Sequence, residues 1–208
     1  MDQPTIFILP GWQDSGPRHW QSIWLAKYPQ AIKVVQNDWM YPEKKQWVET
    51  FHEYIEKYNS KDIILVGHSL ACAVIAHWSD EYFSHTHANI TGALLVSPID
   101  MDAPNFPKEI QGFSPICLEK LKFRSIVVAS ESDTWSNIQR TNYFAQCWGA
   151  EMINIGKQGH INVDAGFGEW PQGEKILQEL MEPHGLEMLQ NHMLLDELQY
   201  VDSGADIK

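Results

Sequence analysis

The sequence predicts an α/β fold with a mostly parallel sheet of about six strands, helices on both faces and a minimal lid. Short runs rich in β-branched residues recur along the chain, and stretches with the apolar periodicity of a helix separate them. The length of 208 residues agrees, because α/β folds of this size commonly form one domain. We therefore predict a single domain over residues 1–190, followed by a C-terminal extension, 191–208, that is partly frayed.

Six apolar runs are predicted to form the strands, at residues 5–9, 31–36, 62–66, 92–96, 125–129 and 151–155. Between the second and third runs, Trp47, Phe51, Tyr54 and Tyr58 recur at the spacing of one helix face. A weaker helical pattern precedes the sixth strand, and another covers residues 174–188. Four prolines between residues 98 and 123 predict an irregular crossing segment instead of a regular helix.

The composition argues against several classes of function. The net charge of −12, from 15 basic and 27 acidic residues, disfavours nucleic acids and anionic membranes as partners, because both attract a basic surface. No stretch approaches the ~20 apolar residues of a membrane span, and the first residues lack the pattern of a signal peptide. Three cysteines cannot all pair with one another and show no close metal-ligand spacing. We expect a cytoplasmic protein without a cofactor.

The turn after the third predicted strand contains Ser69, which has two interpretations. A serine between a strand and a helix commonly caps the helix N-terminus. Alternatively, the turn is a nucleophile elbow, which holds a reactive hydroxyl at the strand end and needs small residues two before and two after it. Gly67 and Ala71 satisfy that requirement. Because parallel sheets bind ligands at the carboxyl ends of their strands, the position of Ser69 favours the elbow.

A serine nucleophile needs a base and an acid, and elbow enzymes carry them in the order Ser, Asp or Glu, His. Asp133 follows the fifth predicted strand and His160 follows the sixth, so both lie at the same sheet edge as Ser69. These placements predict Ser69, Asp133 and His160 as a catalytic triad. Other acids stay open: Glu131 lies nearer the strand end, and Asp100 and Asp102 follow the fourth strand.

The predicted oxyanion hole consists of two backbone N–H groups. One belongs to Leu70, directly after the nucleophile, and the other to Trp12, in the loop after the first strand. Gly11 would permit that loop to approach the serine, although Pro10-Gly11 is equally consistent with a plain turn. We expect Trp12 and Trp135 to line an apolar substrate pocket, to which three further loop aromatics could contribute: Phe106, Phe113 and Trp170.

The nine histidines do not indicate a metal site. His85 and His87, together with His77, could be taken for a metal-binding cluster, but a His-x-His in a polar loop is commonly only solvated. His68 adjoins Ser69, and we expect its side chain to point away from the serine on so tight a turn. We therefore predict no metal.

Several motifs resemble those of the retinoblastoma-binding protein nine family, small serine hydrolases with the α/β-hydrolase fold. The resemblance extends from the first strand to about Met181. It rests on these segments: PGW at 10–12, HW at 19–20, GHSL at 67–70, SD at 132–133, GHIN at 159–162 and GFGEWPQG at 166–173. The chain departs from the family at Ala71, where the elbow usually ends in glycine.

The resemblance implies hydrolysis of small carboxylic esters or of small amides of hydrophobic and aromatic amino acids. It also implies Ser69 as nucleophile, His160 as base and Asp133 as orienting acid, in agreement with the spacing. Two alternatives stay open: a non-catalytic interaction protein on a hydrolase scaffold, and an acyltransferase that uses an alcohol or amine in place of water. The sequence does not indicate the oligomeric state.

Overall fold

The structure is a computed structural model that describes residues 3–59, 61–104 and 106–182. Six parallel strands form one sheet in the order β2-β1-β3-β4-β5-β6. The strands are β1 Thr5–Leu9, β2 Ala31–Lys33, β3 Asp62–His68, β4 Asn89–Val96, β5 Ser125–Ala129 and β6 Glu151–Asn154. The predicted fold class, an α/β fold with a parallel sheet of six strands, is therefore confirmed.

Within the described ranges, five α-helices accompany the strands: α1 Trp20–Lys27, α2 Lys44–Lys57, α3 Leu70–Glu81, α4 Ile138–Trp148 and α5 Pro171–Met181. Two short 3₁₀ helices occupy Phe83–His85 and Val163–Ala165. The sheet and the first four helices belong to one compact unit that ends at Trp170, and α5 belongs to a second unit that begins at Pro171. The predicted domain boundary at residue 190 and the extension 191–208 lie outside the described residues.

Both faces of the sheet are buried, as the apolar strands require. On one face, Phe7, Leu65 and Leu95 join a continuous core with residues of α2, α3 and α4. Side chains alternate along a strand, so Ile64 and its equivalents point to the opposite face, where they are equally buried. The buried tryptophans of α1 stand apart from the first core, which places this helix on the second face.

The structure differs from the predicted elements mainly at their ends. β2 stops at Lys33, because it is an edge strand that pairs with β1 alone. β3 continues to His68, since β4 supplies a pairing partner for each additional residue. The helix α1 was not predicted: its N-cap is His19, an unusual capping residue, and its apolar side chains show little separation into faces. Between β4 and β5 the described residues form neither a helix nor a strand, as the prolines predicted.

Candidate active site

Ser69 lies on a sharp turn between β3 and α3. Its backbone has a φ of 60° and a ψ of −123°, a conformation that residues other than glycine rarely adopt. Its N–H donates to the carbonyl of Val96 at 2.9 Å, which continues the pairing of β3 with β4 by one residue. The Ser69 side chain makes no capping hydrogen bond to α3, so the interpretation as a helix cap is wrong. The hydroxyl is left for another partner.

The small residues around Ser69 make this turn possible. A Cβ atom built on Gly67 would lie 2.8 Å from the Cδ1 atom of Ile75, inside van der Waals contact. Ala71, two positions after Ser69, carries only one methyl group and is almost completely buried. The departure from glycine at position 71 is therefore accommodated at the start of α3.

The partner of the Ser69 hydroxyl is His160. The Nε2 atom of His160 lies 2.9 Å from Ser69 Oγ, and its Nδ1 atom lies 2.9 and 3.0 Å from the two carboxylate oxygens of Asp133. A carboxylate only accepts hydrogen bonds, so Nδ1 carries the proton and Nε2 accepts from the serine hydroxyl. The Asp133 side chain is 4% exposed, which holds this polar chain away from solvent. The structure thus brings together the three residues selected from the sequence.

The other candidate acids have partners elsewhere. Glu131 accepts a hydrogen bond from the side-chain amide of Asn154 at 3.0 Å. Asp100 and Asp102 form ion pairs with Arg140, at 3.1 and 2.9 Å. Among the described residues, Asp133 is therefore the carboxylate in contact with His160.

The loop after β1 lies directly against the turn at Ser69. A Cβ atom built on Gly11 would lie 2.8 Å from Ser69 Cβ and 3.3 Å from the backbone nitrogen of Leu70. Only a glycine permits so close an approach. Among the described residues, neither the N–H of Trp12 nor that of Leu70 has a hydrogen-bond acceptor. Of these two unpaired donors, Leu70 directly follows Ser69, and Trp12 directly follows Gly11, the residue packed against the serine.

A cleft of about 340 Å³ opens over the Ser69 hydroxyl. Its apolar wall includes Trp12 and Trp135, whose rings meet edge to face with centroids 6.1 Å apart. The Trp135 ring also lies 6.0 Å from the His160 ring. The polar residues of the cleft lining include Asp14, His19 and Asn162.

The three further aromatic residues proposed for the pocket lie elsewhere. Phe106 lines a neighbouring cavity of about 260 Å³, on which Trp135 also borders. Phe113 and Trp170 are buried, and neither lines the cleft over Ser69. Apolar side chains in loops next to a sheet edge serve either core or cleft, and only the tertiary contacts distinguish the two.

Two histidines that the sequence analysis did not assign also line the cleft. His68 donates from Nε2 to the backbone carbonyl of His160 at 3.0 Å, and its ring contacts that of His19. Burial, together with the nearby His160, lowers the pKa of His68 well below its usual value. Burial likewise lowers the pKa of His19 to about 4, an effect that His160 strengthens and Asp14 opposes. Both rings are therefore neutral at physiological pH. The sequence offered one signal, the HW pair at 19–20.

Two histidines of the possible metal-binding cluster, His77 and His85, contact protein groups. His77 lies in α3 with its Nε2 atom 3.4 Å from the carbonyl of Phe113, and His85 contacts the hydroxyl of Ser84. In the described ranges, no group of three His, Cys, Asp or Glu side chains is arranged to hold a metal ion. Nor is any helix in those ranges long and apolar enough to cross a membrane.

A parallel sheet with a serine on a sharp turn after β3, and an imidazole and a carboxylate from the loops after β6 and β5, defines an α/β hydrolase. The family model described as Serine hydrolase matches residues 6–179. The chain belongs to this family of serine hydrolases.

Solved structures agree with the family. The chain is similar to a YdeN-like hydrolase from Pectobacterium atrosepticum, with 30% identity, a TM-score of 0.73 and coverage of 86% of this chain and 91% of that one. It is also similar to the ydeN gene product of Bacillus subtilis, with 24% identity, a TM-score of 0.67 and coverage of 84% and 97%. Esterase 2 of Thermogutta terrifontis shares the fold at 13% identity, with a TM-score of 0.60 and coverage of 86% and 82%. No curated protein matches the chain.

Proposed function

We propose that the protein hydrolyses small carboxylic esters or small amides of hydrophobic and aromatic amino acids through an acyl-serine intermediate. The observation that carries this proposal is the chain of hydrogen bonds from Ser69 Oγ through His160 to Asp133. It begins at a serine in a strained backbone conformation and lines an open cleft. A structural hydrogen bond requires neither the strain nor the exposure to the cleft.

In the proposed reaction, His160 Nε2 takes the proton of Ser69 as the Oγ atom attacks the substrate carbonyl. Asp133 holds the imidazole in the tautomer with the proton on Nδ1, and it stabilises the imidazolium that forms. His160 then donates its proton to the leaving alcohol or amine. A water molecule, activated by the same imidazole, attacks the acyl-serine and releases the carboxylic acid.

The negative charge on the tetrahedral intermediate requires hydrogen-bond donors that are already in position. The backbone N–H groups of Leu70 and Trp12 are the proposed donors. Both are unpaired among the described residues, and the backbone at Gly11 lies close to Ser69 and to the nitrogen of Leu70. Loss of one such donor typically raises the barrier by about 3 kcal/mol. The pair therefore supplies a large share of the proposed catalysis.

The size and lining of the cleft support a small substrate. A volume of about 340 Å³ lies at the lower end of ordinary ligand pockets. Trp12 and Trp135 provide an apolar surface for an acyl or aromatic group. The resemblance to the retinoblastoma-binding protein nine family supports aminoacyl amides beside simple esters.

A fluorophosphonate probe tests the proposal. Attack of Ser69 Oγ on the phosphorus would displace fluoride and leave a stable adduct that intact-mass spectrometry detects. We expect labelling of the wild type and none of Ser69→Ala or His160→Ala. A matched control is Ser79→Ala, which removes another buried serine hydroxyl in α3 and should label like the wild type.

The alternatives give different results in the same series. A folded wild type that takes no probe would contradict the enzymatic proposal and favour an interaction protein. If the wild type is labelled, a panel of p-nitrophenyl esters and aminoacyl amides follows, with and without an added alcohol or amine. An ester or amide of the added nucleophile as main product would identify an acyltransferase, whereas free acid would support hydrolysis.

A further inference from the structure

His68 connects the end of β3 to the segment that carries His160. It is the last residue of β3, directly before Ser69, and it is 5% exposed. Its Nε2 atom lies 3.0 Å from the backbone carbonyl of His160, 92 positions further along the chain. A carbonyl oxygen only accepts, so the imidazole donates. The residue before the serine thus holds the main chain of the residue that receives the serine proton.

Trp20 makes a second contact of the same kind. The indole Nε1–H of Trp20 donates to the backbone carbonyl of Ile161 at 2.9 Å, in a completely buried position. Two aromatic donors from β3 and α1 therefore hold two consecutive carbonyls of one loop. We call this pair of side chains, His68 and Trp20, the backbone clamp.

The loop that the clamp holds is conformationally strained. Gly159 and Ile161, on either side of His160, have φ values of 59° and 49°. The second value is unusual for a β-branched residue, and such a conformation persists only where the surroundings enforce it. The clamp binds the carbonyl groups before and after the Ile161 Cα atom, which are those of His160 and Ile161. Without these donors, the segment would be free to relax to an ordinary conformation.

The rings of the clamp also support each other. The rings of His68 and Trp20 are perpendicular with centroids 5.8 Å apart, and His19 lies against both, at 4.9 and 5.3 Å. The His68 ring contacts the His160 ring at 4.9 Å. Burial favours the uncharged form of His68, which donates to the carbonyl without repelling an imidazolium at His160.

We propose that His68 and Trp20 are positioning residues, which fix the main chain at His160 and Ile161 so that His160 Nε2 stays within hydrogen-bond distance of Ser69 Oγ. This inference rests on the proposed function. The hydrogen bonds of the clamp go to the backbone carbonyls of His160 and Ile161, and neither side chain forms a hydrogen bond with Ser69 Oγ or with the His160 ring nitrogens. Loss of either donor should lower kcat, because the base is misaligned. Trp20 does not line the cleft, so Trp20 variants should leave KM nearly unchanged, whereas His68 borders the cleft and its variants are compared by kcat.

Two substitutions at His68 distinguish the effect of its hydrogen bond to the His160 carbonyl from the effect of its packing. In His68→Gln the amide nitrogen lies where Nε2 lies in histidine and still donates, whereas His68→Met fills similar volume without a donor. We expect His68→Met to lower kcat about 10- to 100-fold, the range typical of a base displaced by up to 1 Å, and His68→Gln to recover most of that loss. Trp20→Phe, which keeps an aromatic ring but removes the N–H, should lower kcat in the same direction.

A buried histidine outside the cleft provides the matched control. His77 also directs Nε2 toward a backbone carbonyl, that of Phe113, but it lies on α3 away from the cleft. His77→Met should lower the melting temperature without changing kcat. A purely structural role of His68 would make the two methionine variants alike in both measurements.

Steady-state kinetics on p-nitrophenyl acetate decides among these outcomes. A folded His68→Met with wild-type kcat, or a His68→Gln as slow as His68→Met, would overturn the inference. If His68→Met does not fold, Trp20→Phe decides: a lower kcat at unchanged KM supports the clamp, and an unchanged kcat overturns it.

A second readout keeps the clamp separate from the proposed function. The proton NMR resonance of His160 Nδ1–H, in its hydrogen bond to Asp133, reports the position of the imidazole without turnover. It should shift in Trp20→Phe and not in His77→Met, and an identical resonance in all variants would refute the clamp. A wild type that neither labels nor hydrolyses esters would refute the proposed function alone.

Discussion

Replacing Gly11 with alanine tests the contact between the loop after β1 and the turn at Ser69. The new Cβ atom would lie 2.8 Å from both the His68 carbonyl oxygen and Ser69 Cβ. Carbon atoms in contact are ~3.5–4.0 Å apart, so the loop must move away from the serine by about 0.7 Å or more. A hydrogen bond of ~2.9 Å from the Trp12 N–H would lengthen to about 3.6 Å, beyond the effective range.

We expect Gly11→Ala to lower kcat by about 100-fold or more, which corresponds to the loss of one oxyanion donor and about 3 kcal/mol. The overpacking should also lower the free energy of unfolding by about 1–3 kcal/mol. The assay is kcat on p-nitrophenyl acetate, together with the melting temperature. Gly168→Ala is the control, since its Cβ would make ordinary contacts, the nearest at 3.6 Å from the carbonyl of Arg18. A folded Gly11→Ala variant with wild-type kcat would refute the assignment of Trp12.

Three further predictions concern Asp133, His19 and Phe51. Asp133→Asn should lower kcat by about ten-thousand-fold, because an amide NH₂ toward Nδ1 of His160 stabilises the wrong tautomer; a rate within tenfold of wild type would contradict the role of the carboxylate. The unfolded chain protonates His19 below about pH 6.5, whereas the folded chain resists protonation down to about pH 4. The stability that depends on neutral His19 is therefore fully present above pH 6.5. The free energy of unfolding should fall by about 3 kcal/mol as the pH drops from 6.5 to 4. In urea titrations His19→Asn, which keeps a capping acceptor, should show a flatter pH dependence; an unchanged slope would exclude His19 as its source. Phe51→Ala, a core change in α2, should cost about 3–5 kcal/mol of stability and leave the kcat of the folded protein unchanged, measured by thermal unfolding and ester hydrolysis.

The sequence predicted the elements with strong local patterns. The strands at 5–9 and 125–129 are runs of apolar residues with clear ends, and the structure has them at the same bounds. The order serine, acid, histidine after successive strands selected three side chains that the structure places within hydrogen-bond distance. That selection was possible because the carboxyl ends of parallel strands share one edge.

Other features depend on contacts that no local pattern contains. The irregular segment between β4 and β5 places Phe113 in the core and Phe106 beside a second cavity, although both residues lie in the same proline-rich segment. His68 was expected to point away from Ser69, and its partner is a backbone carbonyl 92 positions away. Every residue has a backbone carbonyl, so the identity of the accepting residue does not indicate this hydrogen bond, and the sequence could not reveal it.

The arrangement of the whole site at one sheet edge has a practical consequence for protein engineering. β3 has seven residues, so its amino end lies about 23 Å from the turn at Ser69. At that opposite edge, the return from α4 to β6 at Gly149 and Ala150 is far from the cleft. A fluorophore or an immobilisation tag attached to this return would leave the cleft open to substrates. The protein could thus be coupled to a solid support with its cleft facing solution.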